Sequence, residues 1–558
     1  MRYTDGTVPR SRIVRALSAM LGLWFAAILM TGCGDHGDKT AINAPESPVV
    51  PAASLSAATR TLRIVSGSEN ATLAPIVERW GRENHVDVQL EYKGSVDIMR
   101  QLQGTGPFPY DGVWTANSLW TALGDRSRRV KDEQSIFWSP VAFVVKKSVA
   151  QRLGWVDKRV TVEDILQAAA SDRLRFMMTS ATQSNSGASA YLGFLYAFAG
   201  SPQTLSVADL KKPQVVQKIT SILGAVDRSA GSSGWLKDLF LQQYDHYDAL
   251  VNYEAVLIET NQELSKSGRE PLYIVYPADG LAVADSPLAF VDNGDTAKEK
   301  TLQDLEGYLL SDAVQKEILA LGRRVGPVGS KQSAVNPAVF NPAWGVRTDE
   351  FLNQIRYPKT DVIREALDLY QSTFRKPSLT IYCLDYSGSM KGSRNAALKS
   401  AIKMILNQDQ ARENLLQASP RDDTVIVTFS DHVLNEWRVK GNDSKALDEL
   451  YHKVDAAEPK GGTDIYTPLL RAFDICREKG QSLHDYFPAV ILMTDGESNV
   501  GKTMSDLTNA PHDIPVFGIQ FGEASQSQLK EITDMTSGRT FDGRTDLAEA
   551  FRSAKGYN

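Results

Sequence analysis

The chain has 558 residues, a length that holds more than two domains' worth of sequence. It is 42% hydrophobic and 23% charged, the balance of a globular protein. The formal net charge of -6 gives no support for nucleic-acid binding, and short basic clusters such as Arg126-Ser-Arg-Arg129 read as solvated faces.

In chain order, residues 1–33 come first. Arg2, Arg10, Arg12 and Arg15 form a positive segment, and residues 16–30 an apolar one too short to span a membrane comfortably. Met30-Thr-Gly-Cys33 follows. This order resembles a bacterial lipobox, with Met30 where Leu is usual. The resemblance implies a signal peptide cleaved before a lipidated (palmitate-class) Cys33. The other reading is a plain secretory signal with a chance cysteine. Acyl chains would anchor the protein without a spanning helix. Residues 34–60, with Ala44-Pro-Glu-Ser-Pro-Val-Val-Pro51, read as a flexible tether. The chain has three cysteines; Cys383 and Cys476 read as buried thiols rather than a bridge.

From residue 61 the pattern becomes α/β. Strands are expected at 62–65, 86–92, 111–114 and 287–291, and a crossing strand at 135–145. Helices are expected at 96–103, 301–310 and 313–321, with a strand, polar loop and apolar helix from 176. Residues 323–342 are rich in Pro and Gly and read as irregular. A helix at 361–374 then leads almost without linker into the last module. The layout of residues 61–375 resembles the periplasmic type II solute-binding proteins: two α/β lobes joined by two crossing segments. That implies a hinged cleft lined by loops at strand ends. Ser66, Ser68, Asn117, Ser139, Thr182, Ser184 and Ser186 are the candidate ligand-binding residues. Their neutral hydroxyls and the helix start near 186 suit an oxyanion or small polar solute. Each one also reads as a cap or turn residue. Asn252, Tyr253 and Glu254 are further candidates, although Glu254 would discourage an anion. Tyr244 and Tyr247 read as packing or as platforms for a sugar.

The run Leu379-Thr-Ile-Tyr-Cys-Leu384 reads as a buried parallel strand, and Asp385-Tyr-Ser-Gly-Ser389 follows it at the carboxyl end, where open α/β sheets bind ligands. Thr463 sits on the glycine-flanked loop Lys460-Gly-Gly-Thr-Asp464, and Asp495 ends a second apolar strand. One carboxylate, two hydroxyls, a further hydroxyl and a second carboxylate make a hard-oxygen set suited to Mg²⁺, or to Mn²⁺ or Ca²⁺. This trio of segments resembles the von Willebrand factor A (VWA) domain with its metal-ion-dependent adhesion site, over residues 376–558. The resemblance implies metal ligation by Asp385, Ser387, Ser389, Thr463 and Asp495, the two carboxylates acting largely through water. It also implies a vacant coordination position filled by an acidic residue of a protein partner. No general base is evident, so the reading is non-enzymatic. Further βα alternation predicts a parallel, doubly wound, Rossmann-like sheet.

The sequence therefore implies an α/β protein: a two-lobed solute-binding-protein-like module followed by a VWA domain, lipid-anchored and periplasm-facing in a bacterial envelope. Its expected role is to bind a protein partner through a metal, and a small solute or partner in the cleft. The alternative is the solute receptor of an ABC-type transporter.

Overall fold

The computed structural model describes residues 60–556, apart from 105, 172–173, 334, 509 and 512. Cys33, the signal segment and the tether up to residue 59 lie outside the described residues. No described helix is long and apolar enough to cross a membrane.

The first lobe is built on a five-stranded sheet. Its strand Arg60–Gly67 pairs in parallel with Val86–Lys93 on one side and Gly112–Trp114 on the other. Pro287–Val291 and Val130–Ser135 complete it, Pro287–Val291 running antiparallel to both of its neighbours. Helix Ala74–Glu83 buries Ile76, Val77 and Trp80, spaced one turn apart, against Leu62, Ile64 and Leu302. The chain leaves this lobe after Ser135, enters the second at Ser139, and returns between Ala284 and Pro287. The two crossings lie side by side: Ala284 pairs with Ser139, and Ile136 N donates to Ser286 O at 3.2 Å.

The second lobe has a six-stranded sheet around Ser139–Lys146, Ala249–Tyr253 and Phe176–Thr179, all but one of whose residues are buried. Strands hidden on both faces read as continuous apolar runs, as these do. Helix Asn185–Phe198 follows the polar loop and buries Tyr191, Phe194 and Leu195.

Helix Thr360–Leu369 and a π turn at Tyr370–Phe374 lead to the third sheet, whose first strand is Ser378–Asp385. Six strands make up this sheet. Ser378–Asp385 lies between Asp423–Phe429 and Phe487–Thr494, with Val516–Gln520 and Arg539–Asp542 beyond the latter, all in parallel. The outer strand Val433–Lys440 runs antiparallel to Asp423–Phe429, which corrects the fully parallel expectation. Only Ser430, Asp431 and His432 separate the two strands, too few for a helical crossover, so the chain returns as a hairpin. Cys383 and Cys476 are free and buried in this domain, and burial raises both thiol pKa values.

Candidate metal centre

Asp385 is the last residue of its strand, not beyond it, and is fully buried. Its Oδ1 accepts from Ser387 N at 2.7 Å and its Oδ2 from Thr494 Oγ1 at 2.6 Å. Burial holds this carboxyl above the usual carboxylate range, against the hydrogen bonds from Thr494 and Ser387 and with added like charge from Asp495. The backbone then turns through a short helical segment, Gly388–Met390, before helix Ser393–Leu406 begins. That turn sets Ser387 Oγ 2.9 Å from Ser389 Oγ, which donates to Asp495 Oδ1 at 2.7 Å.

Thr463 comes to the same place on a separate loop. Gly461, at φ +81°, supplies the left-handed backbone this loop needs, and its carbonyl accepts from Gly388 N at 3.0 Å. A methyl group at Gly496 would lie 3.9 Å from both Ser389 Oγ and Thr463 Oγ1. The two hydroxyls thus face one small space beside Asp495.

Sequence reasoning missed two residues here. Asp464 accepts from Tyr466 N at 2.9 Å, Thr467 N at 3.0 Å and Lys502 N at 3.0 Å, so it caps helix Tyr466–Glu478 and pins the neighbouring loop. Its position just before an apolar helical run was the available signal. Arg394, in the first turn of the helix after the motif, places Nη1 2.7 Å from Asp495 Oδ2. Nothing local in the sequence marks that contact, because Asp495 is 101 residues away.

The donors suit a hard divalent cation: two carboxylates and three hydroxyls, all oxygen, on converging loops. Among the described residues no group of three or more His, Cys, Asp and Glu side chains is arranged to hold a metal.

The candidate cleft residues are all occupied by protein partners. Ser66 Oγ accepts from Asn70 Nδ2 at 3.1 Å, and Ser68 Oγ accepts from Gly234 N at 3.1 Å, across the lobes. Asn117 caps the helix beginning at Ser118 and donates to Val283 O at 3.0 Å. Ser139 Oγ accepts from Ala255 N at 3.2 Å. Thr182 Oγ1 meets Ser180 Oγ at 3.1 Å, and Ser184 and Ser186 reach Ser233 Oγ at 3.1 and 2.8 Å. Glu254 forms a two-pronged ion pair with Arg324, both contacts 2.7 Å. A cavity of about 10 Å³ lies beside Glu69, Phe137, Ser139 and Tyr253, room for one water at most. Glu69, which sequence reasoning did not single out, is buried there, and burial pushes its pKa up to about 7 against its own backbone N–H and Arg323.

Comparison with known proteins agrees with this architecture. Residues 62–324 match the family model described as bacterial extracellular solute-binding protein, and residues 381–552 match the von Willebrand factor type A domain. A curated relative, inter-alpha-trypsin inhibitor heavy chain H6 from Homo sapiens, is 26% identical over 163 residues, covering 27% of this chain. The match spans only 12% of that relative's length. Among solved structures, the sulfate-binding protein SubI from Mycobacterium tuberculosis H37Rv is similar at 17% identity and a TM-score of 0.37, covering 55% of this chain and 96% of that one. A von Willebrand factor type A structure from Catenulispora acidiphila is similar at 19% identity and a TM-score of 0.27, covering 33% of this chain and 43% of that one. The chain thus carries a solute-binding-protein domain and a VWA domain, two kinds of domain that typically bind rather than catalyse.

Proposed function

We propose that this protein is a non-enzymatic, lipid-anchored binding protein of a bacterial cell envelope. Its VWA domain holds a divalent cation, most suitably Mg²⁺, and through it an acidic side chain of a protein partner. The observation that carries this reading is the convergence of Ser387, Ser389, Thr463 and Asp495 on one space, with Asp385 buried behind them. Two carboxylates and three neutral hydroxyls under-neutralise a bound metal. The metal would stay electrophilic and take a carboxylate from outside. Ser387 and Ser389 would bind it directly, Asp385 and Asp495 largely through water. Thr463 would bind directly or not according to state.

Mn²⁺ serves as the probe. Its free-ion paramagnetic resonance signal should fall on adding the protein and return on adding excess Mg²⁺. An undiminished signal contradicts the reading. Anchoring rests on Cys33: Cys33→Ser should move the protein from the membrane to the soluble envelope fraction, and unchanged partition contradicts it.

The two-lobed domain supports a second reading, the solute receptor of an ABC-type transporter binding an oxyanion or small polar molecule. The closed and internally bonded cleft favours the partner-binding account over it.

A further inference from the structure

The first-lobe helix Ser95–Gln103 points its N-terminus at the second lobe. Free backbone N–H groups at such an end attract anions. Here they are already used. Val96 N and Asp97 N donate to the carbonyl of Gln183, a second-lobe loop residue, at 3.1 and 3.3 Å. Gly94 fits this approach because a methyl group there would overlap the same carbonyl. A resident carboxylate, Asp97, also sits in the first turn, buried.

The positive charge facing Asp97 comes from the far end of the chain. Arg552, on the last VWA helix Leu547–Gly556, is 1% exposed, with Nη2 2.5 Å from Asp97 Oδ1 as an ion pair. Arg552 Nε donates to Glu549 at 3.1 Å, and Glu549 also pairs with first-lobe Arg100. The same helix reaches the second lobe: Gln183 Nε2 donates to Ser553 O at 3.2 Å, and a methyl on Gly556 would overlap that amide. Nearby VWA residues reinforce this side. Ser537 accepts from Arg228 at 3.0 Å and from Gln243 at 2.8 Å, and Trp235 meets Phe517 edge-on at 6.3 Å.

Two hinged lobes stay closed when something binds both. We infer that the last helix of the VWA domain is the resident ligand of the two-lobed domain, bridging Asp97 and Gln183 and holding the cleft shut with no solute. Direct lobe-to-lobe bonds act beside it, from Val96 N and Asp97 N to Gln183 O and from Trp120 Nε1 to Asn185 Oδ1 at 2.6 Å. Others act nearer the first strand, Ser68 to Gly234 and Thr72 to Glu259. The helix adds a bridge from outside to the first of these two groups. The two-lobed domain then works as a receptor for its own VWA domain. This holds whether or not a metal occupies the site at Asp385, because the bridging residues are different.

Hydrogen exchange on the full chain tests it. In the native protein, with no solute added, the amides of Val96 and Asp97 should be protected. Arg552→Ala should speed their exchange by at least about tenfold, along with the 183–187 segment, while strands Ser378–Asp385 and Ser139–Lys146 stay protected. Asp97→Asn breaks the same pair from the other side without touching the VWA core, so it decides the matter if Arg552→Ala does not fold. Unchanged exchange at 96–97 in folded Asp97→Asn overturns the inference. So does a loss of protection spread evenly over both lobes.

Discussion

Arg394 Nη1 lies 2.7 Å from Asp495 Oδ2, while Asp495 Oδ1 accepts from Ser389 Oγ at 2.7 Å. One carboxylate is therefore shared between a fixed cation of this chain and the hydroxyl motif. A guanidinium beside a metal ligand repels a divalent ion and competes for its negative charge. Arg394→Gln should tighten Mg²⁺ binding by roughly three- to tenfold, up to about 1.4 kcal/mol, with the gain shrinking as salt rises. Titration of both proteins at low and high ionic strength checks this. Weaker binding in the variant would mean that Arg394 is needed to hold Asp495 in place.

Glu69 makes the two-lobed domain sensitive to pH. Its pKa is raised from 4.5 to about 7 by burial, so the folded state keeps a proton that the unfolded state releases. Stability is fully present below pH 4.5 and falls as pH rises from there to about 7. The shift sets a ceiling of about 3 kcal/mol on this loss. Glu69→Gln should remove it. Urea unfolding of the two-lobed domain at about pH 5 and about pH 8 should show the native protein losing roughly 2–3 kcal/mol more than the variant. Equal losses contradict the assignment.

Glu254 and Arg324 form a fully buried pair that ties the returning segment near 324 to the second lobe. Trp138 and Arg324 also form an isolated bridge beside the first crossing. Arg324→Met leaves a buried carboxylate with only the Tyr276 hydroxyl, and should cost about 3–5 kcal/mol. Adding Glu254→Gln should recover a large part of that loss, since no uncompensated charge then remains. A double-mutant cycle in denaturant checks it. A double variant as unstable as Arg324→Met alone would place the cost elsewhere.

The sequence displayed what depends on local pattern. The alternation of residues 86–92 and the apolar runs before Asp385 and Asp495 appear where the pattern placed them. The strand expected over 135–145 begins only at Ser139, because residues 136–138 make the crossing between lobes. The five oxygen donors of the candidate metal motif could be picked out because each sits at a strand end, on the loop that follows it or on a glycine loop. Features made by distant partners were not. Val433–Lys440 became a strand because the turn before it is short, although its charges blurred the alternation. Arg394 and Arg552 owe their roles to groups 101 and 455 residues away, at Asp495 and Asp97, and Glu69 owes its raised pKa to burial under distant parts of the chain. No window of sequence shows such pairings. The hydroxyls chosen for the cleft have turn and cap chemistry that serves the fold itself.

If Asp385 and its companions hold a divalent cation, removing one carboxylate charge should weaken its binding. Asp385→Asn is the sharpest variant. It keeps an acceptor for Ser387 N, and Thr494 Oγ1 can turn its donation to Gly496 O, 3.2 Å away, so the strand end should survive while one of two carboxylate charges is lost. Isothermal titration with Mg²⁺, native protein against Asp385→Asn, measures this directly. The native protein should give saturable heat, and the folded variant should bind at least about tenfold more weakly. Equal heats for the two proteins, or none for the native one, would contradict it.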